Sequence, residues 1–285
     1  MTLQNTTVLA GATGAVGRHV AHRLAGAEDV RLLVRDAEKA AGLGLPGRVV
    51  RGDYQEAERM KEVLDGAERL FVVTGNPLRP DEDENLLAAA LAGGVRHVVK
   101  LSGLSVADPH ARDVITQWNR DAEDRLRASG LSWTVLRIRA LMSNTLGWAD
   151  SVRKEGVVRA YGGDARNACL DPRDAAEAVV AALDGAEHAG RTYSLTGPVA
   201  LSPREQVEEL ARGLGRPVRF EELSAEQVRE RWARRYPESI TEALLEGTGR
   251  PTESKTPLVE DMVTLTGHAP GDYASWLADH VDSFR

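Results

Sequence analysis

Three glycines, Gly11, Gly14 and Gly17, recur at three-residue spacing in "TTVLAGATGAVGRHVAHRLAG" (6–26), between an apolar run and an amphipathic one. The first permits a tight exit from a strand. The second lets backbone approach a pyrophosphate with no Cβ in the way, and the third lets a helix pack closely on the sheet. The turn formed by Gly11, Ala12, Thr13, Gly14, Ala15, Val16 and Gly17 would then hold an anion against backbone N–H groups at the positive end of the helix. A tight turn alone accounts for one or two of these glycines; three point to a dinucleotide. No Gly-Lys-Ser/Thr follows, which excludes the mononucleotide loop built on that motif.

The end of the next apolar run, "VRLLVR" (30–35), selects the cofactor. An acidic side chain there hydrogen-bonds the adenosine ribose, whereas arginine pairs with a 2′-phosphate. Arg35 comes directly off the run, Asp36 stands behind it, and Lys39 follows one helical turn on. A guanidinium matches phosphate in geometry as well as charge. NADP(H) is therefore expected, with NAD(H), its ribose held by Asp36, as the lesser alternative. Ligands of open α/β sheets sit at the carboxyl ends of the strands. That rule places Asp53 and Tyr54 near the adenine, Thr74, Gly75 and Asn76 along the adenosine ribose and pyrophosphate, and Lys100 to Ser102 near the nicotinamide.

Such positions need a scaffold of parallel strands. "TVLAG" (7–11), "VRLLVR" (30–35), "RVVRGD" (48–53), "RLFVVTG" (69–75), "RHVVKLSG" (96–103) and "SWTVLRI" (132–138) read as strands, each nearly continuous in apolar residues, as expected of a sheet covered on both faces. Helical stretches alternate with them, several stopped by glycine. Strand–helix alternation with short links predicts right-handed βαβ units and a doubly wound parallel sheet of the Rossmann type. The rhythm loosens after about residue 139. "DPRDAAEAVVAALDG" (171–185) reads as a helix with Asp171 as N-cap and Pro172 in its first turn, followed by the strand "RTYSLTG" (191–197). "SPREQVEELARGLG" (202–215) carries a capping-box pattern, Ser202 with Glu205, and "PVRFEEL" (217–223) reads as a short strand. Residues 224–285 read as mostly helical. The expected division is an NAD(P)-binding core over 1–155 and a smaller, mostly helical substrate lobe over 156–285, with 175–200 returning to the core.

Composition narrows the partners. The 285 residues carry a net charge of −7 with no basic run, so no nucleic-acid surface is expected. No apolar segment approaches the ~20 residues that span a bilayer, and no signal-peptide pattern stands at the N-terminus. Cys169 is the one cysteine, which excludes an intrachain disulfide. A soluble cytoplasmic protein is expected, as monomer or homodimer, acting on a small molecule. His19 and His22 share a helix face without a third ligand, so no metal is expected.

"LAGATGAVG", "LVRDAEKA", "GDYQEAERMKEVLDGAERLFVVTG", "VRHVVKLSG" and "AEDRLRASGLSWTVLRIRALMSN" together resemble the NmrA-like, NAD(P)-binding atypical short-chain dehydrogenases, as do "LDPRDAAEAVVAALDG", "GRTYSLTGP" and "EQVEELARGLGRPVRF". The resemblance covers most of the chain and weakens over 224–260. It implies a Rossmann domain with a small substrate lobe and, for many members, NADPH-dependent reduction of quinones or other carbonyl or enone compounds. Some members bind NADP and act as redox sensors.

The wider superfamily places a tyrosine four residues before a lysine. None of Tyr54, Tyr161, Tyr193, Tyr236 and Tyr273 has that neighbour. Many NmrA-like relatives carry Trp-His before an acidic residue; this chain reads Trp118-Asn119, with Glu123 on the next turn. Asparagine hydrogen-bonds a carbonyl but shuttles no proton near neutral pH. Lys100, Ser102 and Asn119 are the remaining catalytic candidates, and Trp118, Met142, Asn144, Trp148 and Tyr161 the candidate substrate contacts. So equipped, the site suits a quinone, an enone or a polycyclic acceptor, where the oxyanion is delocalised and water can finish the reaction. Three functions fit: an NADPH-dependent oxidoreductase, an NADP(H)-binding redox sensor without turnover, and a non-redox isomerase or epimerase that retains the cofactor.

Overall fold

Residues 6–249 and 257–285 are described by a computed structural model of the chain. The strands are β1 (Thr7–Ala10), β2 (Val30–Val34), β3 (Arg48–Arg51), β4 (Arg69–Val72), β5 (His97–Gly103), β6 (Ser132–Ile138), β7 (Val157–Ala160), β8 (Arg191–Leu195) and β9 (Arg219–Glu222). The helices are α1 (Gly17–Arg23), α2 (Ala37–Gly42), α3 (Ala57–Leu64), α4 (Asp81–Ala92), α5 (Val114–Ala128), α6 (Ala149–Glu155), α7 (Pro172–Asp184), α8 (Pro203–Leu214), α9 (Ala225–Trp232), α10 (Glu238–Gly249), α11 (Glu260–Thr266) and α12 (Tyr273–His280).

Seven strands form one parallel sheet in the order β3-β2-β1-β4-β5-β6-β8. The β-branched and leucine-rich runs of β1, β2 and β4 are buried on both sides because helices cover both faces. One face packs Val20 and Ala21 of α1 with Ala175, Ala178 and Val179 of α7. The other packs Met60 of α3, Leu86 of α4 and Leu126 of α5. At the sheet edge, β3 is largely exposed and carries Arg48 and Arg51 there. The strand order reverses direction at β1, which lies between β2 and β4. Their carboxyl ends therefore splay into a crevice.

The capping chemistry read from the sequence is present: Asp171 accepts from Arg173 N, and Ser202 and Glu205 close a reciprocal box at α8. β8 adds to the end of the main sheet after α7. β7 and β9 pair in parallel as a separate two-stranded sheet. Around it, Val158, Val207, Leu210, Trp276, Leu277 and Phe284 build the core of the lobe. Residues 250–256 of the tail expected to be helical lie outside the described residues.

Candidate active site

The glycine turn joins β1 to α1 in the crevice. Gly11 has φ +97°, a conformation that L side chains rarely adopt. A Cβ on Gly17 would sit 2.1 Å from the Gly11 carbonyl oxygen, so only glycine lets α1 approach the turn. Gly14 N donates to Gly11 O at 3.0 Å, and Gly14 itself is exposed on the crevice. The backbone N–H groups of Thr13, Ala15 and Val16 donate to nothing among the described residues. Arg18, in the first turn of α1, has a buried Nε without a partner. This cradle of unmet donors fits a dinucleotide pyrophosphate. Sequence reasoning passed over Arg18, although it stands directly behind the third glycine.

Arg35 and Lys39 are exposed beyond β2, and neither makes an ion pair among the described residues. Asp36 is occupied: its Oδ1 accepts from Lys39 N at 2.9 Å and caps α2. One oxygen of the carboxylate that would take the ribose of NAD is thus held by the helix, whereas the Arg35 side chain stands unpaired at the strand end among the described residues. Asp53 Oδ1 accepts from Gln55 N, and Tyr54 is half-buried with its carbonyl bound by Asn85. Burial pushes the Tyr54 phenol up, despite the opposing effect of the Arg35 charge. Thr74 is buried, whereas Gly75 and Asn76 are exposed at the end of β4.

Lys100 does not open onto the crevice. Its side chain is 3 % exposed, and Nζ lies 3.0 Å from Asp83 Oδ1, whose side chain is also 3 % exposed. Thr74 Oγ1 donates to the same oxygen at 3.0 Å, and the Trp118 indole N–H donates to Asp83 Oδ2 at 3.1 Å. The ammonium also lies 5.7 Å over the Trp118 ring. Lys100 and Trp118, expected against nicotinamide and substrate, are thereby tied into the packing of α4 and α5 on the sheet. The reason is electrostatic: a buried charge must be paired, and Asp83 in the first turn of α4 is within reach.

Ser102 and Asn119 enter a second buried network. Ser102 Oγ donates to Glu123 Oε1 at 2.6 Å, with Asn119 Oδ1 at 3.4 Å, while Asn119 Nδ2 donates to Ile115 O. Glu123, fully buried, also accepts from Arg137 at 2.9 and 2.6 Å and from Arg127 at 2.7 Å. Burial alone would push its carboxyl up; the bonds from Arg137, Ser102 and Arg127 outweigh that and hold it below the ordinary value.

A cavity of about 1010 Å³ opens between the sheet and the lobe. Ser105 beyond β5 and Ile138 to Leu141 at the end of β6 place it on the same side of the sheet as the glycine turn. Four aromatic side chains stand on its wall: Trp148, Tyr161, Trp232 and Tyr236. Asn144 also lines it, whereas Met142 is buried in the lobe core. Trp148, Tyr161 and Asn144 thus meet around one space, which Met142 and Trp118 do not share. Cys169 lines it too, but burial pushes its thiol up to about 11, so the neutral form holds at physiological pH. Sequence reasoning missed Trp232 and Tyr236, which follow no motif, and Arg139, one residue past β6.

Comparison with known proteins agrees with this geometry. Residues 11–187 match the model of a family described as NAD(P)H-binding. The chain is 46% identical over 278 residues to the (4-alkanoyl-5-oxo-2,5-dihydrofuran-3-yl)methyl phosphate reductase of Streptomyces griseus, covering 97% of this chain and 98% of the relative. It is 31% identical over 284 residues to the NAD(P)H azoreductase of Xenophilus azovorans, covering 97% and 98%. Among solved structures, the NADPH complex of the quinone oxidoreductase QOR2 from Escherichia coli superposes with a TM-score of 0.81 at 24% identity, covering 97% of this chain and 99% of that one.

Proposed function

The chain belongs to the NAD(P)H-binding family, and from that premise we propose that it is an NADPH-dependent reductase of a small, electron-poor conjugated alkene. The substrate class is that of the Streptomyces griseus relative's name: a 2,5-dihydrofuran whose ring double bond is conjugated to both a ring carbonyl and an acyl carbonyl. The observation that carries this reading is the pairing of two spaces on one side of the sheet. A glycine turn with unmet N–H donors lies at the switch point, and an aromatic-walled cavity opens past the carboxyl ends of β5 and β6 on the same edge of the sheet.

NADPH, when bound, supplies a hydride. The turn residues Gly11 to Gly17 would hold its pyrophosphate, and Arg35 with Lys39 its 2′-phosphate. Trp148, Tyr161, Trp232 and Tyr236 offer flat apolar faces to a conjugated ring and keep water from it. Among the described residues the wall carries one carboxylate, Asp113, whose Oδ1 accepts from Thr116 N as the cap of α5. An alkene activated by two carbonyls suits such a wall. Hydride addition at the β-carbon leaves an enolate spread over both carbonyl oxygens, and water can return the proton to the α-carbon. A simple ketone would need a placed acid.

NADPH oxidation by the purified protein should accompany saturation of an acyl-dihydrofuranone and be negligible with an unconjugated ketone of similar size. Equal turnover of the two, or of neither, would overturn the reading.

A further inference from the structure

Arg139 is the one residue of the cavity wall whose charge lies deep and is met by no acid among the described residues. It follows β6, where its backbone N–H donates to Leu195 O at 3.3 Å. Its side chain is half-buried and lines the cavity. Nε donates to Asn167 Oδ1 at 2.9 Å, and no acceptor meets Nη1 or Nη2 among the described residues. Asn167 is itself fixed: its backbone exchanges two hydrogen bonds with Leu201, at 3.0 and 3.1 Å. An amide pinned in this way turns the guanidinium so that its end-on pair of donors is the free edge.

Two other wall arginines are spoken for. Arg159 meets Glu155 and Glu221, and Arg166 meets Glu205. Arg231 and Arg235, exposed at the mouth, have no acid partner among the described residues. The cavity is therefore cationic, although the chain carries −7 overall. Burial also lowers the pKa of the Arg139 guanidinium, which marks a charge that lost water and gained no counterion.

We propose that Arg139, oriented by Asn167, forms an anion subsite that takes a phosphate monoester on the substrate, with Arg231 and Arg235 drawing the dianion in. The assignment deepens the reductase reading and rests on it for the rest of the substrate. A guanidinium edge with two parallel donors matches two phosphate oxygens, and it gains most where water is excluded. Arg231 and Arg235, being solvated, contribute to encounter more than to affinity. Asn167 is a positioning residue.

The test compares an acyl-dihydrofuranone methyl phosphate with the same compound as its free alcohol, in wild type, R139Q, R139K and N167A. Wild type should prefer the phosphate by about 100-fold in kcat/KM, the scale of a charge-assisted bidentate contact. In R139Q that ratio should collapse toward unity through KM rather than kcat. R139K, with charge but no fork, should recover part of it, and N167A should fall between. Calorimetry with inorganic phosphate, in the presence of NADP⁺, should show binding to wild type that R139Q loses. This arm reads the subsite even if neither compound turns over, the result that would sink the reductase reading instead. A wild-type enzyme indifferent to the phosphate, or no phosphate binding, overturns the subsite. So does an R139Q variant that weakens NADPH as much as it weakens the phosphate substrate, because Arg139 would then be touching the cofactor.

Discussion

Lys100 and Asp83 face each other across the β5–α4 interface at 3.0 Å, both almost wholly out of solvent. Thr74 and Trp118 complete the carboxylate's set of donors. Removing one partner strands a buried charge, which costs about 3–5 kcal/mol, whereas removing both with apolar residues of similar size costs far less. K100M and D83N should each lower thermal stability sharply, and the pair K100M/D83L should regain much of it. Retained NADPH turnover in the double variant would show that Lys100 serves the fold; abolished turnover in a stable double variant would return it to the chemistry.

Glu123 ties acid stability to its ring of donors. Its carboxyl lies below the ordinary 4.5, so the folded state holds the anion more tightly than the unfolded chain does. The stability this contributes is complete above that ordinary value and is lost as pH falls through the lower, folded one. Denaturant unfolding followed from pH 6 down to pH 3 should show stability falling in wild type and a shallower slope in E123Q. Parallel slopes would remove Glu123 from the account.

The glycines separate fold from binding. G17A places a Cβ 2.1 Å from a backbone oxygen, so α1 must move; both melting temperature and NADPH affinity should fall. G14A meets only the Gly11 oxygen, at 3.2 Å, on an exposed turn. It should melt close to wild type and lose NADPH affinity by about tenfold or more, through crowding of the pyrophosphate. Unchanged affinity in G14A would move the cofactor off this turn.

Arg35 is expected to read the 2′-phosphate. R35A should weaken NADPH by about 100-fold and hardly alter NADH, the scale of a lost charge-assisted contact. Equal losses for the two cofactors would contradict the assignment.

The parallel core was readable because its inner strands are buried on both faces, and the glycine spacing tolerates few other uses. What stayed hidden follows from the same burial. A strand covered on both sides has no polar face, so nothing in "RHVVKLSG" tells whether Lys100 turns toward the crevice or the helix layer. Its partner Asp83 sits in the acidic run "DEDEN", which reads as solvated charge. Arg139 and Asn167 lie 28 residues apart and meet only because Leu141 and Asn167 join short bridges outside the main strands. Trp232 and Tyr236 reach the cavity from the part of the chain with the fewest local signals.

The most direct measurement follows the hydride. The protein would be incubated with NADPH dideuterated at the nicotinamide 4-position and an acyl-dihydrofuranone, and the product examined by mass spectrometry and NMR. The account predicts one deuterium per molecule of product, at the former β-carbon, with the α-hydrogen drawn from solvent. A saturated product without deuterium, or consumption of NADPH without saturation of the ring, would contradict it.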